Sequence, residues 1–151
     1  MTRDQIFVSY SHKDQKWLER LQNHLKPTIR TGAIDVWDDR RIKTGALWRE
    51  EISAALGRAR VAILLVTSDF LASDFIAEHE LPVILDAARA EGVTILWVAV
   101  KDSAYRETEI ARYQCANEPE RPLSRMHHAH VDAELVKICS QVKMAFIGGA
   151  P

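Results

Sequence analysis

Three apolar runs constrain this chain most: Ile6 to Val8 inside the segment Gln5 to Tyr10, Val61 to Val66, and Val93 to Val100, the last broken only by Thr94. None alternates apolar with polar residues, so none fits a sheet with one face in water; each reads as a strand buried on both sides. Between them lie stretches with helical spacing. Trp17, Leu18, Leu21 and Leu25 form one stripe in a helix opened by Asp14 and stopped by Pro27, and Trp48, Ile52, Ala55 and Leu56 form another, closed by Gly57. Ile34, Val36 and Trp37 supply a shorter second strand, and a poorly marked fifth is expected around His128 to Val131. Asp132 to Phe146 closes the chain as a helix with Leu135, Ile138, Cys139, Val142 and Phe146 aligned. Strands alternating with helices imply right-handed crossovers and a parallel α/β sheet of about five strands, covered on both faces.

In such sheets ligands bind beyond the carboxyl ends of the strands. That rule gathers three loops on one edge: Tyr10 to Lys13, Asp38 to Gly45, and Ser68 to Ser73 with the helix that follows. On that helix, at about 100° per residue, Ile76, Ala77, Leu81, Ile84, Ala87 and Ala88 share one arc. Glu80 falls inside the arc and Glu78 opposite it. A carboxylate aimed at protein costs several kcal/mol unless it is paired, hydrogen-bonded or protonated. Glu80 is therefore either a functional group or a structural one, neutralised by an arginine or capping nearby backbone. Pro82 lies within the same helix, where it removes a donor and crowds the carbonyl of Glu78, so a kink or a late start is expected.

Several classes are disfavoured. No GxGxxG or Walker sequence occurs, and Ser9, Tyr10 and Ser11 stand where a receiver domain needs acids. The net charge of -1 offers no basic excess for nucleic acid, and no segment has the roughly 20 apolar residues of a membrane span. Cys115 and Cys139 make neither a CxxC pair nor a zinc spacing, which fits a reducing, cytoplasmic setting. His127, His128 and His130 read as a surface feature, so no metal is expected. The charged run Asp38 to Lys43 reads, by itself, as a solvated loop.

Taken together, IFVSYSHKD, WDDRRIKTGALWREEI and VAILLVTSDFLASDFIAEHEL resemble, in order and spacing, the three sequence boxes of TIR (Toll/interleukin-1 receptor) domains, closest to the bacterial type. The resemblance implies a flavodoxin-like fold for residues 1–147, with 148–151 starting a linker to a further domain. It also implies one of two activities. Many TIR domains cleave NAD, as substrate rather than cofactor, at the nicotinamide-ribose bond, with ADP-ribose or a cyclic product as the two outcomes, and become active on self-assembly with other TIR copies; others are non-catalytic signalling scaffolds. By resemblance Glu80 would be the catalytic carboxylate, while Tyr10, Ser11, Asp38, Lys43, Gly45, Trp48, Phe75 and Ile76 would contact substrate. The family spacing, counted from Phe75 and Ile76, places the glutamate at the position of His79, so Glu80 is reached by a shift of one residue, and Glu78 stays an alternative.

Overall fold

A computed structural model describes residues 3–42 and 45–148. Four parallel strands form its sheet: β1 (Gln5–Ser9), β2 (Val36–Trp37), β3 (Ala59–Val66) and β4 (Thr94–Ala99), in the order β2-β1-β3-β4. Register pairs Ile6 with Val36, Val8 with Ile63 and Leu64 with Trp97. The helices are α1 (Gln15–Arg30), α2 (Trp48–Arg58), α3 (Ser68–Ala72), α4 (Leu81–Ala90) and α5 (His128–Gly148).

Strand alternation divides the core in two. Ile6, Val8, Ile63, Leu65 and Val98 face α1 and α5, meeting Leu18, Leu21, Leu135, Ile138 and Val142. Phe7, Ala62, Leu64, Val66, Ile95 and Trp97 face α2, α3 and α4, meeting Ile52, Leu56, Phe70 and Ile84. Each such side chain contributes about 1.5–3 kcal/mol by leaving water, and the polar residues of these strands, Gln5, Ser9, Arg60 and Thr94, fall at or near their ends.

The structure corrects several boundaries. Pro27 does not stop α1, which runs on to Arg30. Pro27 and Asn23 are both exposed, so water can replace the donor that the Asn23 carbonyl loses. Nor does Gly57 close α2: the helix passes through it to Arg58 and turns straight into β3 at Ala59.

The expected fifth strand is absent among the described residues, because His128 to Val131 begins α5, where Val131 continues the buried stripe of Leu135 and Ile138. Residues 114–117 take the edge beside β4 instead. Trp97 N–H donates to the Gln114 carbonyl at 3.3 Å, and Ala116 N–H donates to the Trp97 carbonyl at 2.7 Å. One step further, the Asn117 side chain replaces the backbone: its Oδ1 accepts from Ala99 N–H at 2.9 Å and its Nδ2 donates to the Ala99 carbonyl at 3.0 Å. A side-chain amide carries the same donor and acceptor as a peptide, so it extends the ladder by one pair.

Of the expected tail, Gly148 ends α5, and residues 149–151 lie outside the described region.

Candidate functional site

The chain does not run as one helix from Ser73 to Ala90. After α3 and a break at Ser73, residues Ile76–Glu80 form a π-helical turn that leads into α4. The cause is Pro82. A continuous α-helix would press its ring against the Glu78 carbonyl; instead the turn widens, Leu81 N–H reaches back five residues to the Ile76 carbonyl, and Pro82 falls in the first turn of α4, where no donor is required. The wider turn adds nearly one residue before the same face returns. Ile76 and Glu80 are consequently the two buried residues of the turn, while Glu78 and Ala77 are exposed. Ala77 thus leaves the arc assigned to it on α-helical angles.

Glu80 is 6% exposed, and its Oε1 accepts a hydrogen bond from Ser9 Oγ at 2.7 Å. Ser9 ends β1, and Glu80 follows β3, so the pair spans the point where the strand order reverses, the usual ligand position of an open α/β sheet. Burial pushes the Glu80 carboxyl up to about 7; the Ser9 bond opposes this, the Asp39 carboxylate adds to it and His12 subtracts from it. A carboxyl in this range changes charge near neutrality, and such groups concentrate at functional sites.

Around Glu80 lies a cleft of about 640 Å³, within the range of small-molecule sites. Tyr10, Ser11, His12 and Lys13 line it from the first loop, Asp39 and Ile42 from the second, Trp48 and Ile52 from α2, and Asp69, Phe75 and Ile76 from the third region. Trp48 packs against Phe75 with ring centroids 5.0 Å apart, and Phe75 against His79 at 5.2 Å. Tyr10 OH donates to Asp39 Oδ1 at 2.8 Å, and His12 Nε2 bonds Asp39 Oδ2. Burial, then donation to Asp39, raises the Tyr10 phenol far above its ordinary value, so it stays a donor.

Of the residues expected at the site, Tyr10, Ser11, Trp48, Phe75, Ile76 and Glu80 meet in this cleft. Asp38 does not. It caps the turn Asp39–Arg41 through Arg40 N–H at 2.9 Å, and accepts from Gln22 Nε2 at 2.5 Å and Arg40 Nε at 3.0 Å, all away from the opening. From Asp38 to Arg41 the charged run is thereby tied back onto the domain, with Arg40 and Arg41 still exposed and Arg41 Nη1 donating to the Val36 carbonyl at 3.1 Å. Gly45, at φ 87, bends the second loop without lining the cleft, and Lys43 lies outside the described residues.

Ser9 was missed, and His12, Lys13, Asp39 and Asp69 lay within the three loops expected on this edge without being singled out. Ser9 was findable, since two residues after Phe7 it returns to the same sheet face, the one that Glu80 approaches. Nothing in the pair Asp38-Asp39 announces which carboxylate turns inward.

Behind the cleft, Asp14 is fully buried; its Oδ2 accepts from Thr67 Oγ1 at 2.5 Å and its Oδ1 lies 3.2 Å from Lys101 Nζ. It ties together the ends of β1, β3 and β4. Among the described residues no cluster of three or more His, Cys, Asp or Glu side chains is arranged to hold a metal, and His127 stacks on His128 instead. No described helix is long and apolar enough to cross a membrane. Both cysteines are free, and burial raises Cys139 to about 12.

Residues 6–132 match the family described as TIR domain. Among curated proteins, y4lF of Sinorhizobium fredii, itself uncharacterized, is 22% identical over 140 residues; the match covers 93% of this chain but only 43% of that protein. The chain therefore spans less than half the length of that relative. Among solved structures, the TIR domains of the activated Roq1 resistosome, which directly recognises the pathogen effector XopQ, superpose with a TM-score of 0.56 at 20% identity, covering 91% of this chain and 84% of that one. The TIR domain of the Toll-related receptor TRR-2 from Hydra magnipapillata gives 0.51 at 14% identity, covering 77% and 86%. These likenesses establish a shared fold.

Proposed function

This chain belongs to the TIR-domain family, and from that premise we propose that it is an NAD-cleaving enzyme that breaks the nicotinamide-ribose bond with Glu80 as its catalytic carboxylate. The observation that carries the reading is the burial of Glu80 at the base of a cleft walled by Tyr10, Trp48 and Phe75. Cleaving an N-glycosidic bond passes through an oxocarbenium-like state, which a nearby carboxylate stabilises electrostatically. Nicotinamide departs as a neutral base from a cationic ring, so no acid has to protonate it. One carboxylate suffices for that step. The positive pyridinium, once bound, favours the ionised form of a Glu80 that burial alone would leave half protonated near pH 7. The aromatic rings offer stacking faces for the nicotinamide and adenine bases, and Lys13 at the mouth offers a cation to the diphosphate.

Activation is by self-assembly with other TIR copies, and the domain works in the cytoplasm as the effector part of a longer immune or antiphage protein. The length of the Sinorhizobium relative and the likeness to a resistosome support this. The test is nicotinamide release by protein held in clusters, set beside dilute protein. Release only when clustered supports the reading; no release at any concentration, together with self-association, favours a scaffold. A specific feature speaks for that second reading: Leu47 and Trp48, 66% and 44% exposed, form an apolar rim suited to docking on another copy.

A further inference from the structure

The reading above leaves one step without a residue, the capture of the ribosyl cation by water. Glu80 is already engaged with the cation and with Ser9 Oγ, so a second acceptor in the cleft can take the proton of water from another side. We propose that His12 is the proton acceptor for the attacking water and that Asp39 is its positioning residue; the inference rests on the NAD-cleaving reading.

The geometry is that of an Asp-His pair. The Asp39 carboxylate can only accept hydrogen bonds, and it is bonded to His12 Nε2 through Oδ2 and to the Tyr10 hydroxyl through Oδ1 at 2.8 Å. Nε2 therefore carries the hydrogen, and in the neutral imidazole that the step requires Nδ1 is the acceptor. His12 and Asp39 line the same cleft as Glu80. The His12 side chain is 75% exposed, so water reaches it freely. Consecutive residues of one strand end hold the two carboxylates apart: Ser9 binds Glu80 and Tyr10 binds Asp39. Asp39 is itself fixed by the turn that Asp38 caps. In the step, an O–H bond of water breaks and its proton passes to His12 Nδ1. The C–N bond has by then yielded its electron pair to nicotinamide, and the water oxygen bonds to the cationic anomeric carbon left behind. The products are ADP-ribose, neutral nicotinamide and an imidazolium that later releases its proton to solvent.

The test compares two nucleophiles on clustered protein. Hydrolysis requires a proton to be removed, whereas exchange of labelled nicotinamide into NAD, the reverse of cleavage, requires none. His12→Gln should lower the ratio of hydrolysis to exchange about 100-fold, the lower end of general-base contributions. Asp39→Asn offers one acceptor where two are needed, and should lower the ratio about 10-fold. Nitrogen NMR of the resting protein should find the hydrogen of His12 on Nε2, with no dependence on turnover. Wild type active in both reactions with an unchanged ratio in both variants overturns this inference alone, as does a hydrogen found on Nδ1. Wild type inactive in both overturns the NAD reading and this inference with it.

Discussion

Two buried polar side chains, one at the centre of the sheet's carboxyl edge and one beside its last strand, are handled in opposite ways. Asn117, beside β4, is neutral and donates to and accepts from the backbone of Ala99, so its burial costs little and extends the sheet. Glu80, beside β1 and β3, receives one hydrogen bond, from Ser9, and has been pushed up to about 7. A side chain that serves the fold is satisfied by it. One that is left short of partners, in a cleft, is held for something the fold does not contain.

The largest effect that would break this contrast is on stability. Asn117→Ala leaves the Ala99 N–H and carbonyl buried without partners, and should cost about 2–4 kcal/mol in denaturant unfolding. A loss below about 0.5 kcal/mol would mean that Asn117 is not the structural member of the pair.

Glu80→Gln should act in the other direction. A folded-state value near 7 lies above the ordinary 4.5, so the native state holds a proton that the unfolded chain has released. The stability of wild type is then fully present below pH 4.5 and declines as pH rises through 7, by about 3 kcal/mol in all. Glutamine does not pay that penalty, so its stability relative to wild type should be about 2–3 kcal/mol greater at pH 8 than at pH 5. Equal gains at both pH values would remove ionisation as the cause.

Ser9→Ala sharpens the comparison with the smallest change. The Ser9 bond holds the Glu80 carboxyl down, so its loss should move the acidic limb of kcat/KM upward by at most about one pH unit, with the fold intact. A downward shift would show that Ser9 favours the protonated form.

The contrast also marks what the sequence discloses. Ile6 to Val8, Val61 to Val66 and Val93 to Val100 announce their strands because burial on both faces permits only apolar residues there. Glu80 is legible for the complementary reason, as an acid where such a pattern forbids one. Asn117 was not legible: an asparagine in a proline-bearing loop is ordinary, and only the tertiary placement of Ala99 gives it partners. The fifth strand was sought at His128 to Val131 because local pattern cannot tell a strand of this length from the first turn of a helix. The inward turn of Asp39 rather than Asp38 depends on a capped turn three residues long, below the resolution of any periodicity. Pro82 was read rightly as a disturbance, but its outcome, a widened turn that keeps Glu80 facing inward, required the backbone.

The most direct measurement takes one variant through two assays. Purified Glu80→Gln and wild type are compared at pH 8 for thermal stability and, when clustered, for nicotinamide release from NAD. The account predicts a more stable protein whose release falls about 1000-fold, the scale lost when a transition-state charge is left uncompensated. A variant that is no more stable and still releases nicotinamide at the wild-type rate, while Glu78→Gln does not, would contradict it.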